Sequence, residues 1–571
     1  MWDRRLSART LTLAVVRRLS ALIACAATCA FPAAALGATS SALRPVPVPA
    51  AGSSTQPLPS SRNEGKIGER LLAIANALPK VRALRAEYPD SVAFVNPVLP
   101  GERSAHREVR YYSRTYKEIG MVLIDSRSGR VLEQWTGFQL TWTMARGYPG
   151  FFGRHVNALY IWLPLCLLFM LPFFNFRRPF SLLHLDLLVL LSFSVSLAFF
   201  NHAHIYASVP LVYPPLIYLL ARMLTLMRRR SRPEALRLLV PAPWLALGVV
   251  LLIGFRVALN VTDSNVADIG YAGVIGAQRI VQGKSLYGSY PAGHEHADTY
   301  GPVNYEAYVP FEQVLGRTPA AHAAAIVFDL LAVALLFLLG RRVRGPTLGI
   351  ALAYAWVSYP FTLFALESNS NDALVAVLVL AALLTATYRS EVARSTRGAF
   401  AALAGLTKFA PLALVPLLAT HGLRELPPAR RPRALALFLA GFLGTAALVF
   451  IPALSHASLH TIYDQTIAFQ ANRGGPFSVW GLYGGLGGLQ LTVQIAVLLL
   501  AFALAVVPRR PDLVGLAAAC AAVIIATQMG LEYWFYFYIP WFFPLAMLAL
   551  LGRFSALEVP QAAGASTPAR G

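Results

Sequence analysis

The chain has 571 residues, of which 56% are hydrophobic and only 13% charged, with a mean hydropathy of +0.55. A soluble protein of this length needs far more charge to cover its surface, so the composition excludes a water-solvated globule and points to a polytopic membrane protein. The net charge of +22 does not indicate nucleic acid, because the Arg clusters sit at the ends of apolar runs, the pattern that orients membrane helices.

Residues 1–38 read as a signal sequence. Arg4, Arg5, Arg9, Arg17 and Arg18 precede LSALIACAATCAFPAAALGA, and small residues surround a cut after Ala38. An uncleaved anchor is the alternative, and Leu22-Ile23-Ala24-Cys25 also has the form of a lipoprotein box. Residues 39–63, rich in Pro, Ser and Ala, read as a linker. Residues 64–155 read as a small extracytoplasmic α+β domain. In it Ile67, Leu71, Ile74 and Leu78 are spaced for a helix with one buried face. REVRYYS and EIGMVLID read as strands, and the second meets RVLEQW across Ser126-Arg127-Ser128-Gly129, a hairpin turn. Cys25, Cys29, Cys166 and Cys520 all lie in apolar segments and form neither a disulfide framework nor a zinc pattern.

From residue 156 the apolar runs predict about eleven spans, near 156–175, 181–200, 209–226, 239–259, 320–340, 347–366, 373–388, 434–453, 490–507, 513–528 and 534–551. Residues 156–238 are additional membrane helices, 239–553 a membrane core and 554–571 a disordered cytoplasmic tail. Arg177-Arg178 puts the first turn inside the cell and residue 155 outside. The run 398–420 is the exception to simple alternation. As a full span it would put Arg424, Arg430, Arg431 and Arg433 outside. A re-entrant hairpin that turns at Lys408-Phe409-Ala410-Pro411 keeps them inside, and Pro411 breaks a helix there.

With this topology the inner turns are short and basic, while acids, amides and aromatics gather outside. Asp263 and Asp268 follow the span ending near 259, and Glu367 to Asp372 and residues 454–489 lie on the same face. Asp186 and Asp329, inside spans, are read as interhelical hydrogen-bonding groups. His202 and His204 are close enough to suggest a metal but read as solvated. LEYWFYFYIPWFF reads as an interfacial aromatic belt.

DIGYAGVIGAQRIVQGKSLYG, TYGPVNYEAYVPFEQ, SNSNDALVAVLVLAALL, AGLTKFAPLAL and RGGPFSVWG, in that order, resemble the GT-C superfamily of integral-membrane glycosyltransferases. Within it the chain is similar to the polyprenol-phosphate-mannose-dependent, glycosyltransferase 87-like branch, over residues 239–551. The N-terminal domain, through DSRSGRVLEQWTG, resembles a PepSY domain. The first resemblance implies inverting transfer of a hexose, mannose, outside the cytoplasmic membrane, from a polyprenyl-phosphate donor to a glycan or glycolipid acceptor. The family motif Asp-x-x-Tyr followed by Gly and Leu-Tyr matches Asp268, Tyr271, Gly283, Leu286 and Tyr287, which makes Asp268 the general base and Asp263 the runner-up.

The chemistry is coherent with that assignment. A carboxylate within reach of an alcohol takes its proton as the glycosidic bond forms. The leaving lipid phosphate needs a cation, for which Arg473 and Lys408 are the candidates. Asn369, Asn371 and Asp372 are candidates for sugar hydroxyls, and Tyr271, Tyr300, Tyr305 and Trp480 for the sugar, acceptor or prenyl chain. The plainer alternatives are that Asp268 caps a helix beginning at Ile269, that Asp263 is a cap or the partner of Arg256, and that Asn369 to Asp372 cap the next span. No cofactor is fixed by the motifs, and a divalent metal stays open. The relatives' late histidine motif is replaced here by LEYWFYFYIP, so no role carries over from it. The rival functions are a transporter or flippase, and a non-catalytic envelope assembly or sensor protein.

Overall fold

A computed structural model describes residues 62–96, 106–114, 118–136, 155–202, 204–228, 235–290, 297–472, 474–507, 510–554 and 557–558. The signal sequence, nearly all of the linker, most of the tail and Arg473 lie outside the described residues.

The N-terminal domain pairs helices α1 (Arg62–Ala77) and α2 (Pro79–Glu87) with strands β1 (Val92–Asn96), β2 (His106–Tyr112), β3 (Glu118–Asp125) and β4 (Val131–Thr136). The strands form one antiparallel sheet in sequence order. Pro79 opens α2, where its missing N–H has no helical partner to lose. Leu71, Ala75, Val81 and Leu84 pack on Val109, Tyr111, Ile119, Val122 and Ile124 of the sheet. The buried stripe of α1 therefore runs through Leu71 and Ala75, and Ile67, expected on it, is exposed. The β3–β4 turn is closed by Asp125, whose Oδ1 accepts from the amides of Arg127 and Ser128 at 2.8 and 3.1 Å. Gly129 there takes a φ of 73°.

The membrane region continues with α3 (Leu159–Met170), α4 (Leu182–Asn201), α5 (Ile205–Leu211), α6 (Tyr213–Leu226), α7 (Ala242–Asp263), α8 (Asp268–Val281), α9 (Val303–Glu306), α10 (Val309–Leu315) and α11 (Arg317–Arg344). Then follow α12 (Pro346–Ser358), α13 (Pro360–Glu367), α14 (Asp372–Ala386), α15 (Glu391–Thr407), α16 (Val415–Thr420), α17 (Arg431–Leu454), α18 (Leu459–Tyr463), α19 (Phe469–Asn472), α20 (Val479–Leu482), α21 (Gly487–Val506), α22 (Leu513–Met529) and α23 (Ile539–Gly552).

The expected eleven spans are not supported. Among the described residues, six helices are long and apolar enough to cross a bilayer, or seven if α12 and α13 count as one span bent by 58°. The bend falls at Tyr359–Pro360, where proline withdraws a donor from the ladder. The other expected spans are shorter helices, Leu159–Phe173, Asp372–Ala386, Leu513–Met529 and Tyr536–Gly552. Three of these, with α12 and α13, are buried almost all round. An apolar run in the interior of a bundle need not match the bilayer thickness, so hydropathy by itself does not fix the number of spans. By contrast α7, α17 and α21 leave Val250, Leu251, Leu448, Ile451, Leu499 and Phe502 exposed, as lipid-facing helices do. The expected aromatic belt is also interior: Trp534 to Phe537 are buried, and the Tyr536 hydroxyl lies 2.6 Å from Ser196 Oγ and 3.0 Å from Ser208 Oγ.

Two buried ion pairs tie helices together. Arg222 donates Nε and Nη2 to the Asp186 carboxylate at 2.8–3.0 Å, and Tyr218 donates to the same group. Arg256 donates Nη2 to Asp329 Oδ1 at 2.5 Å and Nε to Oδ2 at 3.1 Å, with Trp356 Nε1 also on Oδ1. The partner of Arg256 is therefore Asp329 and not Asp263. Arg256 lies two turns before Asp263 on α7 and faces α11.

Candidate functional site

Helix α7 ends at Asp263, residues 264–267 run without helix, and α8 begins at Asp268 itself, with Ala267 in the capping position. Asp268 is thus the first helical residue and not a cap for Ile269. Its carboxylate sits at the positive end of α8, accepts from the Ile269 amide at 2.8 Å, and is exposed. Asp263 is committed elsewhere: its Oδ2 accepts from the His155 amide at 2.8 Å and lies 2.9 Å from His155 Nδ1. Of the two acids, Asp268 is the one presented to solvent.

The segment 264–270 is held by the turn between α13 and α14. Every residue from Glu367 to Asp372 is at most 2% exposed. The Ala267 amide donates to the Ser368 carbonyl at 2.8 Å. Asn369 donates its amide to Ser264 Oγ at 2.9 Å and to the Asn265 carbonyl at 2.8 Å, and accepts from Asn260 at 2.9 Å. Asn371 donates to Asn304 Oδ1. Glu367, behind the turn, has both carboxylate oxygens buried without a partner.

Asp372 closes the turn and faces Lys408. Its Oδ1 lies 2.5 Å from Lys408 Nζ and accepts from Trp541 Nε1 at 2.9 Å. Lys408 is the residue where the chain 391–433 reverses. Helix α15 ends at Thr407, Lys408 is extended, and a 3-10 turn at Ala410–Leu414 leads into α16. The two feet of this excursion meet again, Arg389 with Glu425 and Arg433 with Glu391. The tip meets the loop after α8. Tyr300, Tyr538 and Trp541 ring the ammonium at 5.1–5.9 Å. Gly301 packs so closely on Leu406 that a Cβ would stand 1.9 Å from the Leu406 carbonyl oxygen. Beside the tip, Tyr287, Gly301, Phe409, Phe450, Ile462 and Tyr463 are among the residues lining an apolar cleft of about 170 Å³.

The remaining sequence candidates are spread around this centre. Tyr271 is exposed on α8, one turn after Asp268. Tyr305 is fully buried and spends its hydroxyl on the Ala297 carbonyl and the Tyr300 amide. Trp480 donates to the Met529 carbonyl at 2.8 Å. Sequence reasoning missed Asn260, Ser264 and His322, whose polar atoms lie within 3.1 Å of one another. Their polar character near the C-terminal end of α7 and the N-terminal end of α11 was visible, but their meeting was not. It also missed Glu306, whose carboxyl is pushed up to about 7 by burial. Among the described residues, no three His, Cys, Asp or Glu side chains converge as a metal site.

An exposed acid, Asp268, and an aromatic-ringed cation, Lys408, are thus joined through one buried turn. Residues 299–531 match Glycosyltransferase family 87. The family-87 segment includes the Gly301 contact, the buried turn and Lys408, and begins downstream of Asp263 and Asp268. The match supports enzymatic, glycosyl-transfer activity for this segment. No curated protein matches the chain. Among solved structures, the chain is similar to ArnT from Cupriavidus metallidurans bound to undecaprenyl phosphate, with 18% identity and a TM-score of 0.39. That match covers 55% of this chain and 60% of ArnT, so the chain spans under two thirds of that relative.

Proposed function

We propose that the chain is a GT-C glycosyltransferase that moves a hexose, mannose, from a polyprenyl-phosphate donor to a glycan or glycolipid acceptor on the extracytoplasmic face, with inversion. The acceptor oxygen forms a bond to the anomeric carbon, the bond to the phosphate oxygen breaks, and Asp268 takes the acceptor proton. Polyprenyl phosphate leaves towards Lys408. Tyr271 flanks the base, and Tyr300 and the apolar cleft flank the cation, where a prenyl chain would be accommodated. The observation that carries the reading is the exposure of Asp268 at the start of α8, next to the turn that holds Lys408 through Asp372. The family-87 match supports the reaction class; the Asp-x-x-Tyr spacing supports the base.

Asn369, Asn371 and Asp372 contribute in this reading as the buried frame of the site, and Asp263 as an anchor for His155. The N-terminal domain, a helix pair on a four-stranded antiparallel sheet, is PepSY-like and serves partner contact or regulation. The deciding experiment is Asp268→Asn in purified protein in nanodiscs, assayed for sugar transfer from a polyprenyl-phosphate donor. Transfer is expected to fall at least about 100-fold, the low end for general-base catalysis, with donor affinity kept. Asp263→Asn is expected to cost much less. Full activity in Asp268→Asn removes the base from the mechanism.

A further inference from the structure

We propose that Asn369 is a positioning residue that fixes the segment carrying Asp268. The proposal rests on the reading of Asp268 as the general base. Asn369 has a φ of 51°, the one positive value at a non-glycine position among the described residues. Asparagine is one of the few side chains that accept this left-handed conformation. The conformation aims its side chain back across the chain that follows α7.

Both ends of the amide are consumed there. The two Nδ2 hydrogens go to Ser264 Oγ at 2.9 Å and the Asn265 carbonyl at 2.8 Å, and Oδ1 accepts from Asn260 Nδ2 at 2.9 Å. A side chain that is 0% exposed and has spent both donors has no donor left to offer a sugar. The backbone completes the grip. Ser368 O holds the Ala267 amide, and the Asn369 carbonyl lies so close under Gly270 that a Cβ there would stand 2.5 Å from it. Asp268 is thereby clamped on both sides, at 264–265 and 267 before it and at 270 after it. Ser264 Oγ and Asn260 Oδ1 are each 3.1 Å from His322 Nδ1, which ties the same segment to α11. A buried network with its members satisfied is rigid. Placement matters here, because a 1 Å misplacement of a reacting group can cost about 100-fold in rate.

The test uses the full chain in nanodiscs. Asn369→Asp keeps the size and the left-handed tolerance but sets an acceptor against the Asn265 carbonyl. Asn369→Gly keeps the backbone and deletes the side chain. Hydrogen exchange over 264–271 reports the clamp without any need for turnover. Release of polyprenyl phosphate from synthetic polyprenyl-phosphate mannose, with octyl mannoside as acceptor probe, reports the chemistry. Both variants are expected to exchange faster at 264–271 and to lose at least about 10-fold in kcat with the donor KM nearly unchanged, a loss confined to orientation. Unchanged exchange in both variants overturns the proposal, as does unchanged kcat despite faster exchange. A higher KM at constant kcat also overturns it and makes Asn369 a binding residue. Failure of the parent reading looks different: Asp268→Asn then turns over like the parent, while exchange over 264–271 still reports whether Asn369 holds the segment.

Discussion

Burying Lys408 and Asp372 away from water costs several kcal/mol per ion, offset by their contact, by the Trp541 N–H on the same carboxylate and by the three aromatic rings around the ammonium. Either side chain left alone is a buried, uncompensated charge. Lys408→Met and Asp372→Asn are each expected to destabilise the protein by about 3–5 kcal/mol, read as thermal unfolding in detergent. The double variant should recover much of that stability and none of the transfer. A double variant as unstable as the sum of the singles would mean that the two do not act as a pair. Glu306 gives a second prediction. Burial raises its folded value to about 7 from 4.5. Below pH 4.5 the group is protonated in both states and costs nothing. As pH rises towards 7 the unfolded chain ionises first, so stability is lost across that window and the loss is complete above 7. Glu306→Gln should flatten this part of the stability–pH curve. An identical slope in the variant would place the titration elsewhere.

At the scale of elements, the excursion 391–433 and the loop after α8 make one unit, because the tip of the first lies on Gly301 of the second. The blocking atom at that contact is backbone oxygen, which cannot rotate away. Gly301→Val is therefore expected to pry Lys408 from Tyr300, at about 1–3 kcal/mol of overpacking strain, and to abolish most transfer while the protein still inserts. Full activity would show that the contact is not needed for the site. The sequence made this element partly legible. Pro411 and the Arg residues at 424–433 favour a reversal near Lys408 over a full span. They do not say that the tip meets Tyr300 and Asp372, since residues 300, 372 and 408 share no periodic pattern.

For the whole molecule, the Arg distribution predicts 39–155, 260–318 and 454–489 outside the cell and 227–238 inside. Single-cysteine labelling of a cysteine-free variant checks this, and labelling of position 230 from outside would overturn an extracytoplasmic site. A chain lacking 39–150 but keeping the signal is expected to insert and retain some transfer. Total loss despite insertion would make the N-terminal domain part of the site. Composition and apolar runs by themselves determined that the chain is a multi-pass membrane protein with a small α+β domain ahead of it, because solvation of backbone and side chains depends on local sequence alone. The motif order pointed to the glycosyltransferase class and to Asp268. The tertiary structure decided which apolar helices are interior, that Arg256 meets Asp329, that Asp263 meets His155, and that Asn369 bonds to the chain after α7. Each of these depends on which helix lies beside which, a choice made by packing between residues far apart in the chain, and no local pattern encodes it.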